Sequence, residues 1–268
     1  SNLYIKVFTL GFFLLNISSC SFIDNNKDSF KKKYNELNRE IIKNYSEAIS
    51  KDPDNFFFYL ERGKAKHDYG DFKGAIKDFN YSFKINPDIK VMFYRANSKF
   101  DYGDFKGAIK DYQKLIPNKD FKDQIFYNLA NSQLINSNYV KAINNFTKAI
   151  QFDKNDAYSY LYRGNAKYQI NDYFGSVNDY SNSIAINNKS YIILNNRGVS
   201  KFRLKKYKSA LEDFKKSLKI NPNNYNTLYN KSLTNFELKE IKKACIDLKK
   251  SIKLGKEVFR DEYSKICN

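Results

Sequence analysis

From Phe56 onward the apolar residues recur at three and four residue spacing, in blocks that come in pairs. In the first pair Phe56, Tyr59, Leu60, Gly63, Ala65 and Lys66 set one helix, and Tyr69-Gly70-Asp71 turns the chain. Phe72, Ala75, Ile76, Phe79, Ser82, Phe83 and Ile85 then set a second helix. This spacing predicts an antiparallel helical pair with one apolar seam on each member. The stretch from Asp68 to Asp78 recurs letter for letter from Asp101 to Asp111. The slot of Ala75 is filled again by Ala108, Ala142, Ser176, Ala210 and Ala244, at one step of 33 and four steps of 34 residues. A constant period of this size predicts stacked helical pairs rather than one closed core.

The punctuation agrees with that reading. Gly70 and Gly103 fit a left-handed turn after the first helix, Asn171 tolerates it, and Lys205 and Lys239 adopt it at some strain. Pro53, Pro87 and Pro222 end second helices. A bulky slot holds Tyr59, Met92, Phe126, Tyr160, Leu194 and Leu228. Four residues later a small slot, which lets helices approach closely, holds Gly63, Ala96, Ala130, Gly164, Gly198 and Ser232. With aromatic residues, Ala and Pro at set offsets beyond these, the chain resembles the tetratricopeptide repeat (TPR) family. The resemblance covers units 56–88, 89–122, 123–156, 157–190, 191–224 and 225–256. It implies an all-α, right-handed superhelical solenoid of helix-turn-helix repeats.

Residues 30–52 read as a capping helix or degenerate unit, with an apolar stripe of Phe30, Tyr34, Leu37, Ile41, Tyr45, Ala48 and Ile49, and residues 257–268 as a C-terminal capping helix. Departures from the family pattern are the lack of Trp and the early Pro117, with Leu115 where a small residue is usual. The second unit's second helix is therefore expected to be short.

An internal pairing supports the register. Arg62, Arg95, Arg163, Arg197 and Lys231 are each followed sixteen residues later by a carboxylate, at Asp78, Asp111, Asp179, Asp213 and Asp247. The remaining unit has Leu129 and Asn145 in those places and so lacks both charges. Joint loss is what a physical contact produces, because a half-buried charge is costly without its partner. These are read as structural pairs, with ligand binding by the arginines as the rival.

Composition changes the picture at the two ends. The 268 residues carry 47 Lys plus Arg against 29 Asp plus Glu, and apolar residues make up 42%, enough for a continuous spine. Residues 191–268 hold 19 of the cations and 8 of the anions, so the C-terminal third is the basic end. That field would draw an anionic membrane, a cell-wall polymer or an acidic protein, with an ordinary solvated face as the rival. At the other end, Lys6 precedes an apolar run from Val7 to Ile17, too short for a membrane span and suited to a signal peptide within residues 1–19. Ile17-Ser18-Ser19-Cys20 resembles the bacterial lipobox, which implies lipidation at Cys20 and a polar tether over 20–29. The same resemblance implies, because Ser21 stands where an Asp would mark inner-membrane retention, an address at the outer membrane, facing the periplasm, if the cell is Gram-negative.

Little supports catalysis. His67 is the one histidine, no Cys/His cluster has metal spacing, and no phosphate-cradling Gly loop occurs, so neither enzyme, cofactor nor metal is expected. His67 falls on the face that lines the family's groove, and no triad is expected around it. With Cys20 consumed by lipid, Cys245 and Cys267 remain as an even pair in an oxidising compartment. A disulfide is expected between them, as in related repeat proteins that close similarly; two small core thiols are the alternative.

The resemblance also implies a concave groove lined by the first helix of each unit. At its sixth or ninth position stand Asn97, Asn128, Asn131, Asn165, Asn196 and Asn230, with Tyr127, Tyr158, Tyr162, Tyr168, Phe202, Tyr229 and Phe236 among them. A row of free amides would bind the backbone of an extended peptide, and the rings would supply pockets. The expected partners are proteins or peptides for a membrane-anchored scaffold, and nucleic acid is disfavoured. The alternative is a soluble adaptor whose basic end binds nucleic acid or acidic proteins.

Overall fold

The computed structural model describes residues 25–117, 122–255, 263, 264 and 267. The expected signal segment, Cys20 and most of the 257–268 cap therefore lie outside the described residues. Among the described residues thirteen helices follow one another and no strand occurs. Helix α1 (Asn25–Lys51) precedes six pairs. These are α2 (Phe56–Tyr69) with α3 (Phe72–Ile85), α4 (Ile89–Tyr102) with α5 (Phe105–Leu115), and α6 (Lys122–Ile135) with α7 (Tyr139–Phe152). The last three are α8 (Ala157–Gln169) with α9 (Tyr173–Ile186), α10 (Tyr191–Arg203) with α11 (Tyr207–Ile220), and α12 (Tyr225–Glu237) with α13 (Ile241–Lys253). Each helix packs chiefly on its predecessor and its successor, which makes the chain an all-α helical-repeat solenoid.

The turn inside each pair is set by backbone geometry more than by side chain. Gly70 and Gly103 have φ of 94° and 91°, and Ser137, Asn171, Lys205 and Lys239 take φ between 58° and 64° at the same slot. The next residue's N–H closes on a carbonyl five residues back, as in Asp71 to Lys66 at 2.8 Å and Lys206 to Lys201 at 2.9 Å. Ser137, a poor left-handed residue, carries no signal for this conformation in the sequence. Second helices open on aspartate caps in three units, where Asp71, Asp104 and Asp172 accept the N–H of Gly74, Gly107 and Gly175.

Between the two helices of a pair, the small slot meets an aromatic ring. A Cβ added at Gly63, Gly164 or Gly198 would lie 2.7, 2.8 or 2.6 Å from Phe79, Tyr180 or Phe214, so glycine is needed for that approach. At the far end of the pair, Ser82, Ser183, Ser217 and Ser251 each donate to the carbonyl of their first helix's opening residue, at 2.7 to 3.0 Å. Leu115 stands in that slot in the second unit, and α5 is short, with 11 residues against 14 in α3.

The expected charge pairs lie across the same contact. Arg62 grips Asp78 with Nε and Nη2 at 2.8 Å each, and Arg95, Arg163 and Arg197 hold Asp111, Asp179 and Asp213 in the same two-pronged way. Lys231 reaches both oxygens of Asp247. The hydrogen bonds of Asp78 push the Arg62 guanidinium above its ordinary range.

Two further partners were not read from the sequence. Lys66, Lys99, Lys167 and Lys201, one helical turn after each Arg, bond the same carboxylate at 2.7 to 2.8 Å. The third arginine nitrogen reaches back to the preceding helix, at Ser46, Asn80, Thr147 and Ser181. Each arginine thus ties three helices together. In the unit without charges, Asn145 donates to Gln133 at 2.8 Å beside the buried Leu129. The neutral trio satisfies its polar atoms without an ion.

Two expectations about the N-terminal end are corrected. Residues 25–29, assigned to a polar tether, are helical, because a helix anchored by packing extends at one hydrogen bond per added residue. Tyr34 and Leu37, placed on the covered stripe, are 49% and 51% exposed. The second half of α1 packs on α2, with Ile41, Tyr45, Ala48 and Ile49 half-buried and Ser46 in the position of a second-helix residue, while Tyr34 reaches α2 through its hydroxyl, which donates to Asp68 at 2.9 Å.

Candidate functional site: the concave face

Successive first helices touch one another, α2 on α4 through to α10 on α12, whereas among the described residues successive second helices do not. The first helices therefore follow the shorter, inner path, and their outward sides form a concave wall. Across this wall Asn128 donates to Asn97 at 3.1 Å, Asn196 to Asn165 at 3.4 Å, and Asn230 to Asn195 at 3.0 Å. From behind, Tyr112 and Tyr180 on the second helices donate to the same oxygens of Asn97 and Asn165.

Three aromatic rings form a shelf in the middle of the wall. Tyr158 stacks on Tyr162 at 6.4 Å, and Tyr162 meets Tyr127 edge to face at 6.3 Å, with Phe146 beneath both. Tyr158 is 57% exposed. Burial pushes Tyr127 up to about 12 and raises Tyr162 as well, so both hydroxyls are neutral donors at ordinary pH.

Residues 191–224, which form the fifth pair, match the family model of the tetratricopeptide repeat. No curated protein matches the chain. The C-terminal part of a TPR repeat-containing protein from Cytophaga hutchinsonii is similar in fold, at 15% identity over 90% of this chain and 98% of that one, with a TM-score of 0.73. A tetratricopeptide repeat protein from Parabacteroides merdae has a TM-score of 0.60 at 17% identity, over 89% of this chain and 99% of that one. YrrB, described as a TPR protein with an unusual peptide-binding site, has a TM-score of 0.62 at 14% identity, over 70% of this chain and 97% of that one. The fold is that of a TPR solenoid.

Against that frame of a TPR groove, the asparagine row differs from its expected role. Asn165 and Asn230 are buried, at 6% and 8% exposure, and Asn97, Asn128, Asn131 and Asn196 are half-buried. Their amides bond one another and neighbouring tyrosines, Asn131 facing Tyr127. They stitch the first helices of successive units together rather than standing as a comb of free amides. The physical reason is the close approach of consecutive first helices, which puts each amide within reach of the next. Of the expected rings, Tyr127, Tyr162, Tyr168, Phe202 and Phe236 are half-buried, and Tyr229 is buried. Arg203 donates to the Tyr168 hydroxyl at 3.0 Å. The crease lined by Val199, Phe202, Phe214, Asn230 and Leu233 has no interior volume for a small molecule.

His67 has neighbours that the sequence reading did not foresee. Its Nδ1 lies 2.9 Å from Ser98 Oγ and its Nε2 3.5 Å from Asp101. Burial raises the Asp101 carboxyl while His67 lowers it. The residue types are those of a nucleophilic triad, yet Ser98 is fully buried, so no substrate carbonyl can reach its hydroxyl. Among the described residues no group of His, Cys, Asp or Glu could hold a metal, and no helix is long and apolar enough to cross a membrane. Cys245 on α13 is joined to Cys267 by a disulfide with 5.7 Å between Cα atoms, and Tyr263 packs on Tyr229, Leu233 and Leu248 nearby. Tyr263 and Cys267 are thereby held on the last helical pair.

Proposed function

We propose that this protein is a lipid-anchored scaffold that holds an extended segment of a partner protein along its concave wall. The observation that carries the reading is the Tyr127, Tyr162 and Tyr158 shelf, which offers exposed aromatic area beside neutral hydroxyls and the polar edges of Asn128 and Asn131. Aromatic anchors with adjacent hydrogen-bonding groups suit a peptide backbone and its apolar side chains. The peptide-binding TPR protein among the structural neighbours supports the same use of the fold. The lipobox-like Ile17-Ser18-Ser19-Cys20 supports anchoring at Cys20 in a bacterial membrane, the outer one facing the periplasm in a Gram-negative cell. An anionic bilayer would also attract the basic C-terminal end.

The test is site-specific photocrosslinking in cells. A crosslinker at Tyr158 should capture a discrete partner, one at Asn182 on α9 should not, and Tyr158→Ala should abolish capture at a neighbouring wall position while helix content stays unchanged. Equal capture from both positions would discard the groove. Palmitate labelling that persists in Cys20→Ser would discard the anchor. The second reading, a soluble adaptor for nucleic acid or acidic proteins, draws on the lysines of α11 and α13 and would follow from recovery of the protein in the cytosolic fraction.

A further inference from the structure

Ile246 on α13 is 68% exposed, more than any other large hydrophobic side chain among the described residues. On a helix surface the neighbours of a residue lie three and four positions away. For Ile246 these are Lys242, Lys243, Lys249 and Lys250, all four exposed. The next second helix along the solenoid, α11, continues the pattern, since Lys208, Lys215, Lys216 and Lys219 stand 34 residues before Lys242, Lys249, Lys250 and Lys253. Among the described residues, acidic groups on this face are few. Glu240 pairs with Lys243 at 3.1 Å, and Glu212 occupies on α11 the slot of Ile246. Lys250 also donates to the Pro222 carbonyl at 3.2 Å.

Lysines by themselves would mark only a solvated face, and α3 and α5 carry exposed lysines too. What separates α13 is the aliphatic side chain at the centre of its four cations. A phosphodiester backbone would engage the lysines and leave Ile246 in water. At the surface of an anionic bilayer the lysines meet headgroup phosphates while the isoleucine leaves water for the acyl boundary, so both halves of the motif contribute. The geometry points to the outer face of α13, extended by α11, as a docking surface for an anionic lipid membrane with Ile246 as the inserted residue. Second helices lie on the outer side of the solenoid, so this contact leaves the concave wall open to a partner. It deepens the membrane reading above, yet it does not depend on the lipid at Cys20.

The chain contains no tryptophan, so Ile246→Trp places a single fluorescent reporter at the point of insertion. The full chain is mixed with vesicles of phosphatidylglycerol and phosphatidylcholine, or of phosphatidylcholine alone, and with duplex DNA as a rival polyanion. With the anionic vesicles the emission should move to shorter wavelength and be quenched by brominated acyl chains, and both effects should be lost near 1 M salt, where the screening length is about 3 Å. Replacing Lys242, Lys243, Lys249 and Lys250 by Glu in the same background should weaken this response by at least roughly 100-fold. An unshifted reporter on protein that co-sediments with the vesicles would overturn the proposal, because binding would then lie elsewhere. An equal shift on uncharged vesicles, or with DNA, would overturn it as well. Palmitate labelling of Cys20 is read separately, so failure of the anchor and failure of this face remain distinct results.

Discussion

Replacing the charged clamp of the fourth unit by the neutral trio of the third measures what the ions contribute. Asp179 has 2% of its side chain exposed and accepts from Arg163, 14% exposed, and Lys167, 20% exposed. Asp179→Asn keeps the shape and removes the charge, leaving two largely buried cations without a counterion. Breaking a buried pair in this way costs about 3 to 5 kcal/mol. The third unit shows the alternative at the same three positions, 34 residues earlier, as Leu129, Gln133 and Asn145, with one amide bond of 2.8 Å. The triple variant Arg163→Leu, Lys167→Gln, Asp179→Asn copies that arrangement. Thr147, which receives Arg163 in the native chain, keeps its bond to the Ile143 carbonyl. The triple variant should therefore recover most of the loss and end within about 1.5 kcal/mol of the native protein, since apolar replacement of a buried ion pair is often neutral. Urea unfolding followed by far-UV circular dichroism gives both numbers, and the single variants complete the cycle. If the triple variant is as unstable as Asp179→Asn, the clamp is not interchangeable with the neutral trio and the reasoning fails.

Other expectations follow from the same contacts. Gly164→Ala puts a Cβ 2.8 Å from the ring of Tyr180, which is buried and held by its bond to Asn165, so a loss of about 1 to 3 kcal/mol is expected in the same unfolding assay. Cys245→Ser opens a loop of 22 residues, worth roughly 3 kcal/mol by chain entropy. Contacts in a solenoid are local, so hydrogen exchange should rise in α12 and α13 and stay unchanged in α2 to α7; a uniform rise would contradict this. Burial raises Tyr127 from 10.0 to about 12, so the native state keeps its proton longer than the unfolded chain between those values. Its contribution is complete below pH 10 and is lost as pH climbs through that window, by on the order of 3 kcal/mol. Urea midpoints should fall less steeply above pH 10 in Tyr127→Phe; equal slopes would show that another group drives the loss.

The spacing of apolar residues was enough to locate all six helical pairs, because a helix seam is written in residues three and four apart on one segment. The arginine and aspartate pairing was legible for a related reason, namely that Leu129 and Asn145 lose the two charges together. Short α5 followed from Pro117. The rest depended on what a neighbouring helix places opposite, which no spacing within one segment records. Asn97 and Asn128 look alike as free amides or as a bridge, and the distance between α4 and α6 decides for the bridge. Ser46, Asn80, Thr147 and Ser181 are ordinary surface residues until the next unit's arginine reaches them. His67 gained Ser98 and Asp101 from the following unit, and Ile246 became notable only because none of the described residues packs over it. Period and polarity thus determined which face of each helix is buried, while the small rotation and rise from one unit to the next decided which polar groups meet across the seam and which remain for a partner.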